Sequence, residues 1–441
     1  MGVRVPPFAP TFLYSELRAG PPAVHSGRTM PPVRSVLFVR WSTAPGLIFC
    51  IAVLVRVPVL WAHMHDPRLA TMFTEHAAIA HSWLRGQGYS GAFPGTTTPS
   101  AWFSPLPTFF LVLLFKYFTM LTSARIVLTL NLFFSAATAV GILLAGKELL
   151  GILAAAIAAW IWVFWYYVAI FPLFLDETSL NALLLIAGVW GLLWIDRSRR
   201  AWQWLAFGMY WGFSCLVNPA FFSVLFFYWI WLWIRRSPQS VVWRQGIAIS
   251  IAAFALTLAP WVVRNYLAFG RFIFVRSDLP AEIYYANHEG LGNAPADYSS
   301  FPNANPVEYE RLGETAYLDE KKAFVIRYIR THPAEFLRRT RTRIVDFWTV
   351  PHGEGFWFVS LGAFVGLALA IQKMKANAMP LAIPMIFFPL VYYLVWAFPR
   401  HRHPIEPVIL LLLAYALALL IKQAGKLGSV PHTSKESDSK A

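Results

Sequence analysis

An all-α protein that crosses a membrane many times is what this sequence predicts, and three features predict it. Long apolar runs recur along the chain, 57% of its 441 residues are hydrophobic, and only 13% are charged, against about 25% in soluble domains. The basic residues, which bring the formal net charge to +15, stand in short clusters between the runs. That pattern orients a membrane protein by leaving Lys and Arg on the cytoplasmic side, so the positive charge argues for membrane lipids as partners and not for nucleic acid. The abundant Trp, Tyr and Phe suit helix interfaces and the two interfacial belts.

Residues 1–44 are rich in Pro and scattered Arg, carry no long apolar core and are expected to form a disordered cytoplasmic tail, with Met1 and Met30 both possible starts. Runs near the ~20 residues needed to span lie at 45–63, 124–146, 149–172, 178–195, 202–217, 219–235, 244–266, 355–372, 379–398 and 405–422. An eleventh, 103–119, is ambiguous, and charge decides it. Clusters at Arg197/Arg199/Arg200, Arg235/Arg236/Arg244, Lys373/Lys375 and Lys422/Lys426 all fall on the cytoplasmic side only if 103–119 lies in the interface, beginning at Ser104–Pro105 and carrying Lys116. Ten spans with both termini inside are therefore expected. A core of 45–266 would contain the outer loop 64–123, followed by an outer segment 267–354, spans within 355–422 and a cytoplasmic tail 423–441. Helical patterns at 306–330 and 334–348 mark the outer segment, and Arg338, Arg339, Arg341 and Arg343 are expected to hold an interfacial helix against lipid phosphates. Cys50 and Cys215 both lie in apolar runs and read as small buried side chains.

Candidate chemistry gathers on the four outer features. In the first loop a short helix is expected from Thr74 to Arg85, capped by Thr74 and stopped by Gly86 and Gly88. Glu75 falls in its first turn, where the dipole favours an ionised carboxylate. Two readings compete, a general base for an attacking hydroxyl and a simple complement to the dipole; Asp66 is a second carboxylate on the same loop. Asp176 and Glu177 stand on the turn between the third and fourth spans, either as solvated helix ends or as a functional pair. The turn at 399–404 sets Arg400, His401, Arg402 and His403, with Glu406 beyond, at the mouth of the last span. Charge is costly at lipid depth, so this cluster reads as an anion site, for which a phosphate fits bidentate arginine, or as a headgroup anchor. Arg264 and Asn265, closing the seventh span, pose the same question, and Arg56 inside the first span is expected to snorkel outward.

The order of these pieces resembles the GT-C membrane glycosyltransferases, in the branch of protein mannosyltransferases and lipid A aminoarabinose transferases (glycosyltransferase family 39-like), over most of 45–422. TEHAAIAHSWLRGQGYS is similar to the acidic first-loop motif, with Thr74-Glu75 where the branch usually has Asp-Glu. PSAWFSPLPTFF is similar to its proline-rich juxtamembrane segment, FLDETSLNALLL to its second-loop turn, PWVVRNYLAFG to the end of its seventh helix, and PRHRHPIEP to its R-Y-x-x-P turn, with His401 in the Tyr place. The resemblance implies a GT-C fold with an active site outside a bacterial inner (plasma) membrane, and transfer of a sugar from a polyprenyl-phosphate donor to a lipid, glycan or protein acceptor with inversion. Glu75 would be the base; Asp176 and Glu177 would orient the acceptor or hold a divalent cation; Arg400 and Arg402, with Arg264, would stabilise the leaving phosphate, beside Asp66 and His401 as further substrate-binding residues. Two rivals stand beside it. An O-antigen ligase or polymerase would concentrate its chemistry in one large late loop, and a transporter or flippase of lipid-linked sugar would place ionisable groups mid-span, where Arg56 is the exception.

Overall fold

The computed structural model describes residues 42–71, 73, 76–236, 241–287, 305–349 and 356–427. Most of both expected tails, together with Thr74 and Glu75, lies outside the described residues. The helices, in chain order, are α1 (Pro45–Met64), α2 (His76–Leu84), α3 (Pro105–Tyr117), α4 (Met120–Leu149), α5 (Ile152–Phe164), α6 (Tyr166–Ala169), α7 (Thr178–Ile195), α8 (Ala201–Val217), α9 (Phe221–Arg236) and α10 (Val241–Phe269). Then come α11 (Leu279–Asn287), α12 (Pro306–Leu312), α13 (Glu314–Thr331), α14 (Pro333–Thr349), α15 (Phe356–Met374), α16 (Met379–Phe387), α17 (Pro399–Arg402) and α18 (Glu406–Leu427). Among the described residues the extended backbone amounts to one isolated bridge, Ser90 to Pro99.

Among the described residues six helical stretches are long and apolar enough to cross a bilayer, and a seventh if 152–164 and 166–173, bent by 61°, form one span. One of the six, Trp357–Tyr393, runs 37 residues, about 55 Å at ~1.5 Å per residue, well beyond a ~30 Å hydrocarbon core. It breaks at the 3-10 turn Lys375–Ala378, where Lys375 has φ 51°, and so supplies two of the expected spans. With α8 and α9, 17 and 16 residues long, each of the ten expected runs has its helix.

Contacts at the two ends of the bundle group different parts of the chain. At one end of the bundle Glu148 pairs with Arg197 at 2.9 Å, Asp196 with Arg235 at 3.5 Å, and Trp231 Nε1 donates to Ala376 O at 3.2 Å. These contacts lie at or beside three of the four basic clusters expected inside. At the other end Arg125 Nε donates to Met64 O at 3.0 Å, Asn131 Nδ2 to Phe174 O at 2.8 Å, and Trp261 Nε1 to Val275 O at 2.8 Å, which collects the expected outer features. Helix α3 belongs to that second end: Pro105 sits in its first turn, Ser104 is its N-cap, and its 13 residues reach only about 20 Å.

Arg56 does not snorkel. It is 1% exposed and donates from Nη2 to Trp162 O at 3.0 Å, from Nη1 to Val163 O at 3.3 Å and Ala52 O at 3.1 Å, and from Nε to Ser135 Oγ at 3.0 Å. The bend after Phe164 frees the carbonyls of the last turn of α5, and in hydrocarbon an unpaired carbonyl is costly. A guanidinium from the neighbouring span supplies the missing donors and suits the negative end of the helix dipole. Elsewhere close packing demands small residues: a Cβ on Gly366 would stand 1.9 Å from Leu412 O, where α15 lies on α18.

The outer segment is bolted to the first loop by two carboxylates. Glu310 accepts the Thr97 and Thr98 amides at 2.9 and 3.1 Å and both hydroxyls at 2.5 and 2.8 Å. Glu314, 1% exposed, accepts Ala101 N–H at 2.8 Å, Ser277 O–H at 2.7 Å and Tyr309 O–H at 2.7 Å. Glu314→Gln puts an amide donor among three donors, so it is expected to cost about 1–3 kcal/mol locally. Hydrogen exchange at residues 97–102 reads this out, with faster exchange there and an unchanged rate in α4.

Candidate active site

Helix α2 is held by its first residue. His76 Nδ1 bonds Thr108 Oγ1 at 2.8 Å, and the ring lies 4.7 Å from the Phe103 ring. Thr108 O–H donates to Ser104 O at 3.0 Å and Tyr89 O–H donates to Thr108 Oγ1 at 3.0 Å. Thr108 Oγ1 and His76 Nδ1 share one hydrogen bond whose direction follows the imidazole tautomer, and the far ring nitrogen is Nε2. That Nε2 is 3.7 Å from Glu177 Oε2. Burial, with the nearby charge of Arg276, lowers the His76 pKa to about 3, so the contact joins a neutral imidazole to a carboxylate and is not an ion pair. Gly86 and Gly88, at φ 82° and 71°, stop the helix where the sequence places its end.

Asp176 and Glu177 lie on the turn before α7. Asp176 Oδ1 accepts the Thr178 amide at 2.9 Å, and Asn131 Nδ2 donates to the Asp176 carbonyl at 3.2 Å, so the turn is fixed from α4. Burial and then the charge of Glu177 raise the Asp176 pKa, while Arg400 opposes the shift. The first-loop residue beside Glu75 thus meets the second-loop pair, 101 positions away in the chain.

Arg276, on the stretch between α10 and α11, is the residue the sequence reading missed. Its Nε donates to Trp102 O at 3.1 Å, its Nη2 pairs with Asp278, and the guanidinium lies 5.5 Å from the Phe103 ring centroid. Nη1 has no hydrogen bond among the described residues. Burial alone would lower its pKa, and the charges of Asp278, Glu177 and Glu282 overcome that and raise it. In sequence it was one more arginine in a basic segment; its only local signal was Asp278 two residues on, just after a span. Arg400 is exposed, stacks at 5.5 Å over Phe398, and its charge reaches Asp176 and His76. His401 Nδ1 bonds Trp396 O at 2.8 Å and its ring stacks 4.4 Å from Tyr392, whose hydroxyl accepts from Asn218 Nδ2 at 3.4 Å.

Three residues expected to bind substrate are engaged by the protein. Arg402 is 1% exposed, pairs with the buried Glu406 at 2.6 Å, and donates from Nη1 to Phe347 O and Trp348 O, both at 3.2 Å; it caps α14 as Arg56 caps α5. Arg264 donates to Ser100 O at 2.6 Å and Tyr89 O at 2.5 Å, with its guanidinium 5.1 Å from the Tyr89 and Trp261 rings, so it ties the first loop to α10. Asp66 accepts from Arg68 through both oxygens, at 2.8 to 3.1 Å, and turns its own short 3-10 helix. Each had the charge expected of a ligand contact, but backbone carbonyls or a neighbouring side chain claim it. His403 is buried 3.9 Å from the Phe171 ring and 5.3 Å from Trp162.

His76, Asp176 and Glu177 are among the residues lining a cavity of about 300 Å³. Its remaining walls are almost wholly apolar, among them Leu106, Phe110 and Leu111 of α3 and Leu130 and Phe134 of α4. A ligand that fits has an apolar body and a polar head. No group of three or more His, Cys, Asp and Glu able to hold a metal ion occurs among the described residues; Asp176 and Glu177 are the oxygen donors that would contribute to one.

No family model matches this sequence, and no curated protein matches it. Among solved structures it is similar to the Archaeoglobus fulgidus oligosaccharyltransferase complexed with Zn and sulfate, at TM-score 0.50 and 14% identity over 86% of this chain and 50% of that one. The archaeal oligosaccharyltransferase AglB of the same organism, in complex with an inhibitory peptide and a dolichol-phosphate, gives TM-score 0.49 at 14% identity, over 89% and 52%. The chain spans about half the length of these structures. The first likeness carries the fold, and with it the expected architecture: this chain is a multi-pass membrane protein of the GT-C fold.

Proposed function

We propose that the chain is a glycosyltransferase that moves a sugar from a polyprenyl-phosphate donor to an acceptor hydroxyl, with its site on the outer face of a bacterial inner membrane. The observation that carries this reading is the meeting of His76, Asp176, Glu177, Arg276 and Arg400 at one end of the bundle, where three of them border an apolar cavity. A donor whose tail lies in the bilayer and whose phosphate lies at the interface needs that combination. In the proposed reaction an acceptor hydroxyl sits between His76 Nε2 and the carboxylates, and Glu75, the residue before His76, takes its proton. The oxygen attacks the anomeric carbon as the bond from that carbon to the phosphate oxygen breaks. The phosphate leaves with the electron pair, and its growing charge is met by Arg400 and by the unbonded Nη1 of Arg276. Attack opposite the leaving group inverts the centre.

Incubation of the purified protein with labelled polyprenyl-phosphate hexose or pentose and candidate lipid, glycan and protein acceptors tests the proposal. A covalent labelled product is expected. Movement of labelled donor across vesicles with no product would favour the flippase reading instead. Because the Asp176 pKa is raised, its charged form is lost on acidification at a higher pH than the ordinary aspartate value of about 3.9. The acid limb of kcat/KM is therefore expected above that value, and flat transfer down to pH 4 would remove the Asp176 carboxylate from the chemistry.

A further inference from the structure

Helix α14 carries an exposed stripe that fits neither water nor lipid chains alone. Leu337, Arg338, Arg341, Ile344 and Val345 recur at helical spacing on one face, with Leu337 66% and Val345 48% exposed. A face turned to water has no use for Leu337, Ile344 and Val345 in line, and a face turned to hydrocarbon does not carry arginines. The headgroup layer of a bilayer accommodates both.

The rest of the helix is fixed to the protein. Arg343 donates to Ala286 O, to Asn287 Oδ1 at 3.0 Å and to Leu394 O at 3.3 Å, while Phe347 and Trp348 are buried. Ser360 of the span α15 donates to Trp348 O at 2.5 Å, and Arg402 caps the same turn from the mouth of the last span. The helix thus ends against the first turns of α15 and the turn before the last span.

The four arginines divide by task. Arg343 holds backbone, and Arg338 and Arg339 share Glu335 at 2.7 Å. Arg341 has no hydrogen bond or ion pair among the described residues and is exposed. We infer that the stripe of α14 docks on the membrane through anionic phospholipid headgroups, with Arg341 and Arg338 meeting phosphates and Leu337, Ile344 and Val345 entering the acyl boundary. The surface is separate from the candidate active site, and its test does not require activity.

The test uses full-length Leu337→Cys protein in a Cys50→Ser background, carrying a fluorophore at 337, in vesicles of phosphatidylcholine alone or with 30% phosphatidylglycerol. Quenching by lipids spin-labelled near the headgroup is expected to be at least about two-fold stronger with phosphatidylglycerol, because basic residues are drawn to an anionic surface. The gain should vanish in the Arg338→Gln/Arg341→Gln variant and fall as salt rises. A fluorophore on Trp202→Cys, an exposed position at the basic end of the bundle, controls for folding and reconstitution. Equal quenching in both vesicles, or unchanged quenching in the double variant, overturns the inference, as does iodide reaching position 337 as freely as it does in detergent.

Discussion

Glu75→Gln is expected to lower transfer by about 10²–10⁴-fold, the range a positioned general base supplies, with normal membrane insertion and donor binding. The side chain lies outside the described residues, but it neighbours His76, whose ring is fixed by Thr108 and stands 3.7 Å from Glu177. Asp176→Asn and Glu177→Gln are expected to be milder, about 10–10²-fold, with the loss in both kcat and KM, because these residues orient the acceptor and do not take its proton. The ordering is checked by steady-state transfer with saturating donor. Full activity in Glu75→Gln would move the base to Asp176 or Glu177, and less readily to Asp66, which Arg68 already holds through both oxygens.

The second large effect is on stability and separates a structural arginine from a substrate ligand. Arg402 and Glu406 are a fully buried pair, 1% and 0% exposed in their side chains. Removing one partner leaves an uncompensated charge, which costs about 3–5 kcal/mol. Glu406→Ala and Arg402→Ala should each lower the melting temperature and the folded yield sharply. Arg402→Met/Glu406→Leu should recover most of the loss, because a well-packed apolar pair replaces a buried ion pair at little cost. The Phe347 and Trp348 carbonyls stay uncapped in the double variant, so recovery falls short by about 1–3 kcal/mol. Thermal melts in one detergent compare the variants. A properly folded Arg402→Ala with only a raised KM for donor would return Arg402 to the phosphate site.

The contrast between Arg400 and Arg402 shows what the sequence could express. Apolar run length located a helix for each expected run, because burial in lipid imposes a length that composition records. Ser104–Pro105, Gly86 and Gly88 announced helix ends by local chemistry that needs no tertiary partner. The meeting of the first and second outer loops was also legible, since parity alone puts Asp176, Glu177 and the segment before His76 on one face. What the sequence did not separate is an arginine that faces a ligand from one that caps a helix. Arg56, Arg264 and Arg402 have the spacing and setting of an anion site, yet each donates to carbonyls freed by a bend, a loop or a helix end. Those carbonyls are products of tertiary structure, so no local pattern foretells them. Arg276 was hidden for the complementary reason: its task depends on the strap from Trp102, 174 positions away.

In the proposed reaction Arg276 and Arg400 receive a lipid-borne phosphate beside the outer carboxylates. Affinity for polyprenyl phosphate, titrated into nanodisc-embedded protein and followed by native mass spectrometry, tests it most directly. Arg276→Gln and Arg400→Gln are each predicted to weaken binding by about ten-fold or more, consistent with ~1.5–3 kcal/mol for a charge-assisted hydrogen bond, with Asp66→Asn unaffected. Unchanged affinity in both arginine variants, with the protein folded, would contradict the placement of the phosphate and the reaction built on it.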